Sequence, residues 1–135
     1  MPLILWKDSF VTKVKFLDEE HEMLIGIVNE LHFSMLAGKG KPVMGEVLGL
    51  LVNHTKKHFD NEEAHMRKTK YTGYYTHLQE HQYLLKYLTD FHYSFNNTQV
   101  IVSIELLDFL RDWLLHHIEH LDMQLGCYLL DHGVS

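Results

Sequence analysis

Apolar residues recur every three or four positions in four separate stretches of this chain. The first stretch holds Leu17, His21, Leu24, Val28, Leu31 and Met35; the second holds Val47, Leu51, His54, His58, Glu62 and His65. The third carries His77, His81, Leu84, Leu88, Phe91 or His92, and Phe95; the fourth carries Leu107, Leu110, Leu114, His117, Leu121 and Leu125. Such spacing lays a single stripe of side chains along a helix. It predicts helices over about 18–37, 42–68, 74–96 and 100–130. Asp18 suits an N-cap, with Glu19 and Glu20 in the first turn. Gly38 and Gly40 end the first helix, and Pro42 suits the first turn of the second. Tyr71-Thr-Gly-Tyr74 reads as a break, and Asn96-Asn97-Thr98 as a turn with a capping signal. Residues 1–17 lack a stripe and read as an extended arm that packs its aromatic residues on the body. Long helices joined by short loops run antiparallel to their neighbours. The expected fold is therefore all-α, an up-down-up-down antiparallel four-helix bundle with an extended N-terminal arm.

The stripes are not purely apolar, and this changes the picture. His21 lies on the first, His58 and Glu62 on the second, His77 and His81 on the third, and His117 on the fourth. His58 and Glu62 are four residues apart, one turn above the other on the same face. One histidine on an apolar face is ordinarily a core residue bonded to a carbonyl. Six ionisable groups spread over all four helices need a shared reason, because each costs several kcal/mol to bury unless paired or coordinated. A metal centre in the bundle core supplies that reason. One ion takes about four to six ligands, so an inward set of this size suggests two ions sharing a bridging carboxylate. Imidazole with carboxylate suits iron, zinc, copper or nickel by softness alone.

Composition agrees. Twelve of the 135 residues are histidine, far more than an ordinary domain carries. Hydrophobic residues make up 46% and charged residues 22%, the balance of a globular chain, and the length suits one domain over 1–135. The formal charge of -6 argues against nucleic acid as a partner. Cys127 is the single cysteine, and nothing asks for an oxidising compartment. The first residues lack a signal-peptide pattern, and no apolar run approaches a membrane span of ~20 residues. A soluble, cytoplasmic monomer is expected, although a domain excised from a longer receptor would read the same.

With these residues in place the chain resembles the bacterial hemerythrins, non-haem di-iron bundles that bind oxygen. The resemblance rests on Asp18-Glu-Glu-His21, His58-Phe-Asp-Asn-Glu62-Glu63, His77-Leu-Gln-Glu-His81 and Trp113-Leu-Leu-His-His117-Ile-Glu-His-Leu-Asp122, in the family's order. The joint pattern of an isolated His, then HxxxE, HxxxH and HxxxxD, is specific; each pair alone is weak. The resemblance implies two Fe ions bridged by an oxo or hydroxo group and by the carboxylates of Glu62 and Asp122. His77, His81 and His117 would ligate one iron, and His21 and His58 the other, which keeps an open position for O2. Geometry alone does not select Asp122. It lies five residues after His117, about 140° around an ideal helix, and His120 fits better. A local π-bulge would reconcile the two. His54 is expected near the centre without ligating, Glu63 as an acceptor for a ligand imidazole or a solvated acid, and His32, His92 and His132 on the flanks. The family's usual Tyr-Pro after the second helix is Tyr71-Thr72 here.

Leu24, Phe59, Trp113, Leu114 and Ile118 flank the ligands in helical space. By position and resemblance they would surround the open site and keep it dry. The expected function is reversible dioxygen binding, as carrier, store or sensor module, without turnover beyond a weak peroxidase- or oxidase-type side activity. An oxygen-consuming enzyme or a signalling protein is the partner class this implies. The alternative is a di-iron enzyme such as a peroxidase, oxidase or nitric oxide reductase. Five histidines against two carboxylates differ from the carboxylate-rich sites that activate oxygen, which favours binding.

Overall fold

The structure, a computed structural model, describes residues 2–135; Met1 of the expected arm lies outside the described residues. Its helices are α1 (Lys15–Leu36), α2 (Lys41–Lys68), α3 (Tyr74–Asn97), α4 (Ile104–His117) and α5 (Met123–Asp131). A π-helical turn, Ile118–Asp122, joins α4 to α5, so these three form one continuous rod. The result is a bundle of four rods, with α2 packed against α1 and α3, and α4 against α1. Among the described residues there is no strand, and no helix is long and apolar enough to cross a membrane.

Two helix starts differ from the sequence expectation. The first begins at Lys15, three residues ahead of Asp18, and Val14 at its N-cap makes no side-chain bond. Asp18 instead sits in the first turn and reaches back. Its carboxylate accepts from the Thr12 amide at 2.9 Å, the Thr12 hydroxyl at 2.8 Å and the Lys13 amide at 3.2 Å. Those bonds hold Lys13 at φ 70°, a left-handed conformation that a non-glycine residue rarely adopts unaided. The fourth rod begins at Ile104 rather than near Val100. Ser103 caps it, its hydroxyl accepting from the Leu106 amide at 3.2 Å. The preceding Val100-Ile-Val102 is β-branched and lies outside any helix. Elsewhere the expected ends hold within a residue, with Gly38 at φ 68° closing α1 and Pro42 opening α2.

Apolar burial falls into two clusters. The larger holds Leu24, Val28, Leu31, Leu48, Leu51, Phe59, Leu84, Leu88, Leu107, Leu110, Leu114 and Ile118 among others. The smaller holds Val14, Leu17, Met66, Leu125 and Leu129. Between them runs a polar layer. His21 falls between Leu17 and Leu24, Glu62 between Phe59 and Met66, and Asp122 between Ile118 and Leu125, each about one turn away. The arm closes over this body. Ile4, Phe10 and Val14 are buried, and Trp6 meets the Phe10 ring edge-on at 5.5 Å. Asn29 clasps the arm in both directions, accepting from the Ile4 amide and donating to the Ile4 carbonyl, each at 2.8 Å.

Where the arm crosses α5, a Cβ added to Gly126 would lie 2.9 Å from Cβ of Thr12, which is itself held by Asp18. Gly126→Ala therefore sets an overpacking cost of about 1–3 kcal/mol against a helix-propensity gain of about 1 kcal/mol. A net loss of up to ~2 kcal/mol is expected in chemical denaturation. A variant about 1 kcal/mol more stable than the parent would show that the arm yields at no cost.

Candidate metal centre

The polar layer is built from all four rods. His21 comes from α1, His58 and Glu62 from α2, His77 and His81 from α3, His117 from the end of α4, and Asp122 from the π turn. Each is 3% exposed or less, so all seven are removed from solvent. The ring Nε2 atoms point inward. His21 Nε2 lies 2.8 Å from Asp122 Oδ2 and 3.5 Å from Glu62 Oε2, and His58 Nε2 lies 2.8 Å from the same Glu62 Oε2. On the other side His77 Nε2 is 3.2 Å from Glu62 Oε1 and 2.9 Å from Asp122 Oδ1. His81 Nε2 is 3.0 Å from Glu62 Oε1, and His117 Nε2 is 3.2 Å from Asp122 Oδ1. Each carboxylate thus turns one oxygen toward His21 and His58 and the other toward His77, His81 and His117.

Two overlapping ligand groups result. One is Glu62, His77, His81, His117 and Asp122; the other is His21, His58, Glu62 and Asp122. Short distances do not make these contacts hydrogen bonds. The inward Nε2 atoms of His21, His58 and His81, and all four oxygens of Glu62 and Asp122, have no hydrogen-bond partner. Buried polar atoms are rarely left so. His77 Nε2 and His117 Nε2 lie within hydrogen-bond distance of each other at 3.1 Å; the other inward donors crowd together without bonding one another and converge on points in space, as ligands of a cation do. The residues present fit a pair of metal ions, each able to take imidazole nitrogen and carboxylate oxygen.

The sequence matches the family profile described as the hemerythrin HHE cation binding domain over residues 12–129. The chain belongs to this family. A bacteriohemerythrin from Methylococcus capsulatus is 32% identical over 127 residues, covering 93% of this chain and 96% of that protein. A myohemerythrin from Sipunculus nudus is 28% identical, covering 89% and 88%. A crystal structure of wild-type hemerythrin superposes with a TM-score of 0.87 at 31% identity, covering 94% of this chain and 98% of the other.

The hemerythrin pattern HxxxxD takes physical form in the π turn. In an α-helix a residue five positions on points well away, whereas i→i+5 bonding brings it back over the first. Ile118–Asp122 adopts this winding, and Asp122 comes back beside His117. His120 turns outward, its Nδ1 donating to the His116 carbonyl at 2.9 Å. His54 is half-buried and lines a shallow depression with Glu20, Lys57 and His58. His65 stacks on Phe16 with ring centroids 4.2 Å apart. His32 and His92 lie half-buried on the flanks, and His132 is exposed.

Of the five expected pocket residues, Leu24, Phe59 and Leu114 line an apolar cavity of about 20 Å³ inside the bundle. That is room for roughly one water-sized molecule. Phe59 connects the cavity to the centre, its ring stacked on His81 at 3.7 Å. Trp113 stacks on His117 at 4.6 Å and lines an outer groove with Glu80 and His116. Ile118 is fully buried at the start of the π turn.

Each ring's Nδ1 faces away from the centre, and three of them meet a carboxylate. His58 Nδ1 donates to Glu20 at 2.6 Å, His81 Nδ1 to Glu63 at 2.8 Å, and His117 Nδ1 to Glu80 at 2.8 Å. Sequence reading flagged only Glu63. Glu20 and Glu80 carry a usable signal, since each immediately precedes a histidine of the inward set.

Electrostatics follow from this packing. Burial pulls the imidazole pKa values down, but the Glu62 and Asp122 charges and the outer carboxylates outweigh it. His58 and His117 are pushed up to about 10 and His77 to about 9. Burial raises Glu62 and Asp122, and Asp122 also feels the Glu62 charge; the surrounding histidines outweigh this and hold both well below the usual carboxylate range. Without metal, the folded state holds protons on these rings that the unfolded chain releases near pH 6.5. Their contribution is complete below about 6.5 and lost as pH rises through about 9–10. Metal-free protein should therefore lose thermal stability steadily between about pH 6.5 and 10. Melting curves across that range check this; a flat or rising profile would mean that the rings are buried neutral.

Proposed function

We propose that this chain binds dioxygen reversibly at a di-iron centre held by the seven inward residues. His77, His81 and His117 would hold one iron and His21 and His58 the other, with Glu62 and Asp122 shared between the two groups. The observation that carries this reading is the division of carboxylate oxygens, one from each residue toward each ligand group. The two groups differ by one imidazole, so an ion on the His21–His58 side would have one protein ligand fewer. When bound, two ferrous ions supply the two electrons and the vacancy that dioxygen requires.

The protein's own residues favour binding over turnover. Five neutral imidazoles with two carboxylates leave the centre less negative than a carboxylate-rich one. Leu24, Phe59 and Leu114 line the adjoining cavity, and of the nine residues around it only Thr55 carries a polar side-chain group. A site with few proton donors keeps bound oxygen from being protonated and lost, so we read the protein as a binder rather than an enzyme. Names of relatives agree: those compared above are a bacteriohemerythrin and a myohemerythrin. A carrier, a store and a sensor would share this pocket, and a small cytoplasmic oxygen binder is the form we propose.

Reduced, iron-loaded protein should colour in air and bleach when oxygen is removed, through repeated cycles in an optical cell. Permanent bleaching with consumption of a reductant would favour the enzyme reading. His77→Ala should lose at least one iron per chain by metal analysis, together with the air-induced band. Retention of both irons and of the band would remove His77 from the ligand set.

A further inference from the structure

The three outer carboxylates form a pattern that the ligand set does not require. Glu20 on α1 accepts from His58 on α2; Glu63 on α2 accepts from His81 on α3; Glu80 on α3 accepts from His117 on α4. Every link runs from one rod to the next in chain order. Each outer acid stands beside an inward residue in sequence: Glu20 before His21, Glu63 after Glu62, Glu80 before His81. One residue is about 100° of helix. The neighbour therefore leaves the inward face and meets the adjacent rod, where the next imidazole presents its Nδ1.

We infer that Glu20, Glu63 and Glu80 are positioning residues, a run of three helix-to-helix links that fixes the His58, His81 and His117 rings with Nε2 turned inward. This rests on the di-iron reading above. Two consequences are specific. A carboxylate accepting from Nδ1 sets the tautomer and makes the ring a stronger electron donor. The distribution is also uneven. The three-histidine group receives two such links and the two-histidine group one, while Nδ1 of His21 and of His77 has no partner. The links differ in burial as well, the acid side chains being 15% exposed at Glu63, 26% at Glu20 and 37% at Glu80. A hydrogen bond gains strength away from water, so Glu63 should matter most and Glu80 least.

The test is anaerobic competition for Fe2+ against a chromophoric chelator, with the midpoint potential of the bound iron measured alongside. Glu63→Ala should weaken one of two irons about 10- to 100-fold and raise the potential, because a poorer donor favours the ferric state less. Glu80→Ala should affect the same iron less, and Glu20→Ala the other. Glu63→Gln keeps an acceptor and should restore most of the affinity, whereas Glu63→Met, which keeps the bulk without the acceptor, should behave like alanine; a packing role alone would be rescued by both. Glu22→Ala, on the exposed flank of α1, should change neither quantity. If the parent binds two irons and Glu63→Ala matches it in affinity and potential, the positioning role is wrong and the di-iron reading stands. A parent that takes up no iron overturns both.

Discussion

Seven ionisable side chains, sealed from water and left without hydrogen bonds on most of their inward atoms, are the constraint around which this bundle is arranged. Packed hydrocarbon in the same layer would stabilise a four-helix bundle at lower cost. The layer instead splits the core into a larger and a smaller apolar cluster and draws groups from every rod. Such an arrangement persists when the crowded donors meet a cation, since coordination replaces the water that each group gave up.

Local structure serves that layer. The helices bring imidazoles four residues apart, or an imidazole and a carboxylate four apart, onto one face. The π turn does what an α-helix cannot, returning Asp122 to the side of His117. Asp18 ties the arm to the start of α1, and Gly126 leaves room for the arm to cross α5. Together these seal the end of the bundle nearer the small cluster. At the other end, the larger apolar cluster encloses the cavity lined by Leu24, Phe59 and Leu114.

Much of this is legible in the sequence because burial and helical period act together. The stripes name the rods, and the histidines on them name the layer. Legibility fails where the chain departs from ideal winding or from the buried stripe. Asp122 breaks the 3.6-residue period, and only resemblance to a known pattern points to it; the π turn has no signature in the spacing of apolar residues. Asp18 looks like a cap because capping acids and back-bonding first-turn acids have the same composition, and its true partners, Thr12 and Lys13, precede the stripe. Ser103 is hidden because Asn96-Asn97-Thr98 offers an earlier stop-and-start signal. Glu20 and Glu80 lie one residue off the inward face, where an acid reads as solvated until the neighbouring rod is in place.

The central claim is that two irons occupy this layer together, one between His21 and His58 and the other among His77, His81 and His117. Anomalous diffraction at the iron edge from a crystal of the iron-loaded protein tests it most directly. The account predicts two separate peaks within the layer, each touching one oxygen of Glu62 and one of Asp122. A single peak, or iron found only on the surface histidines, would contradict it.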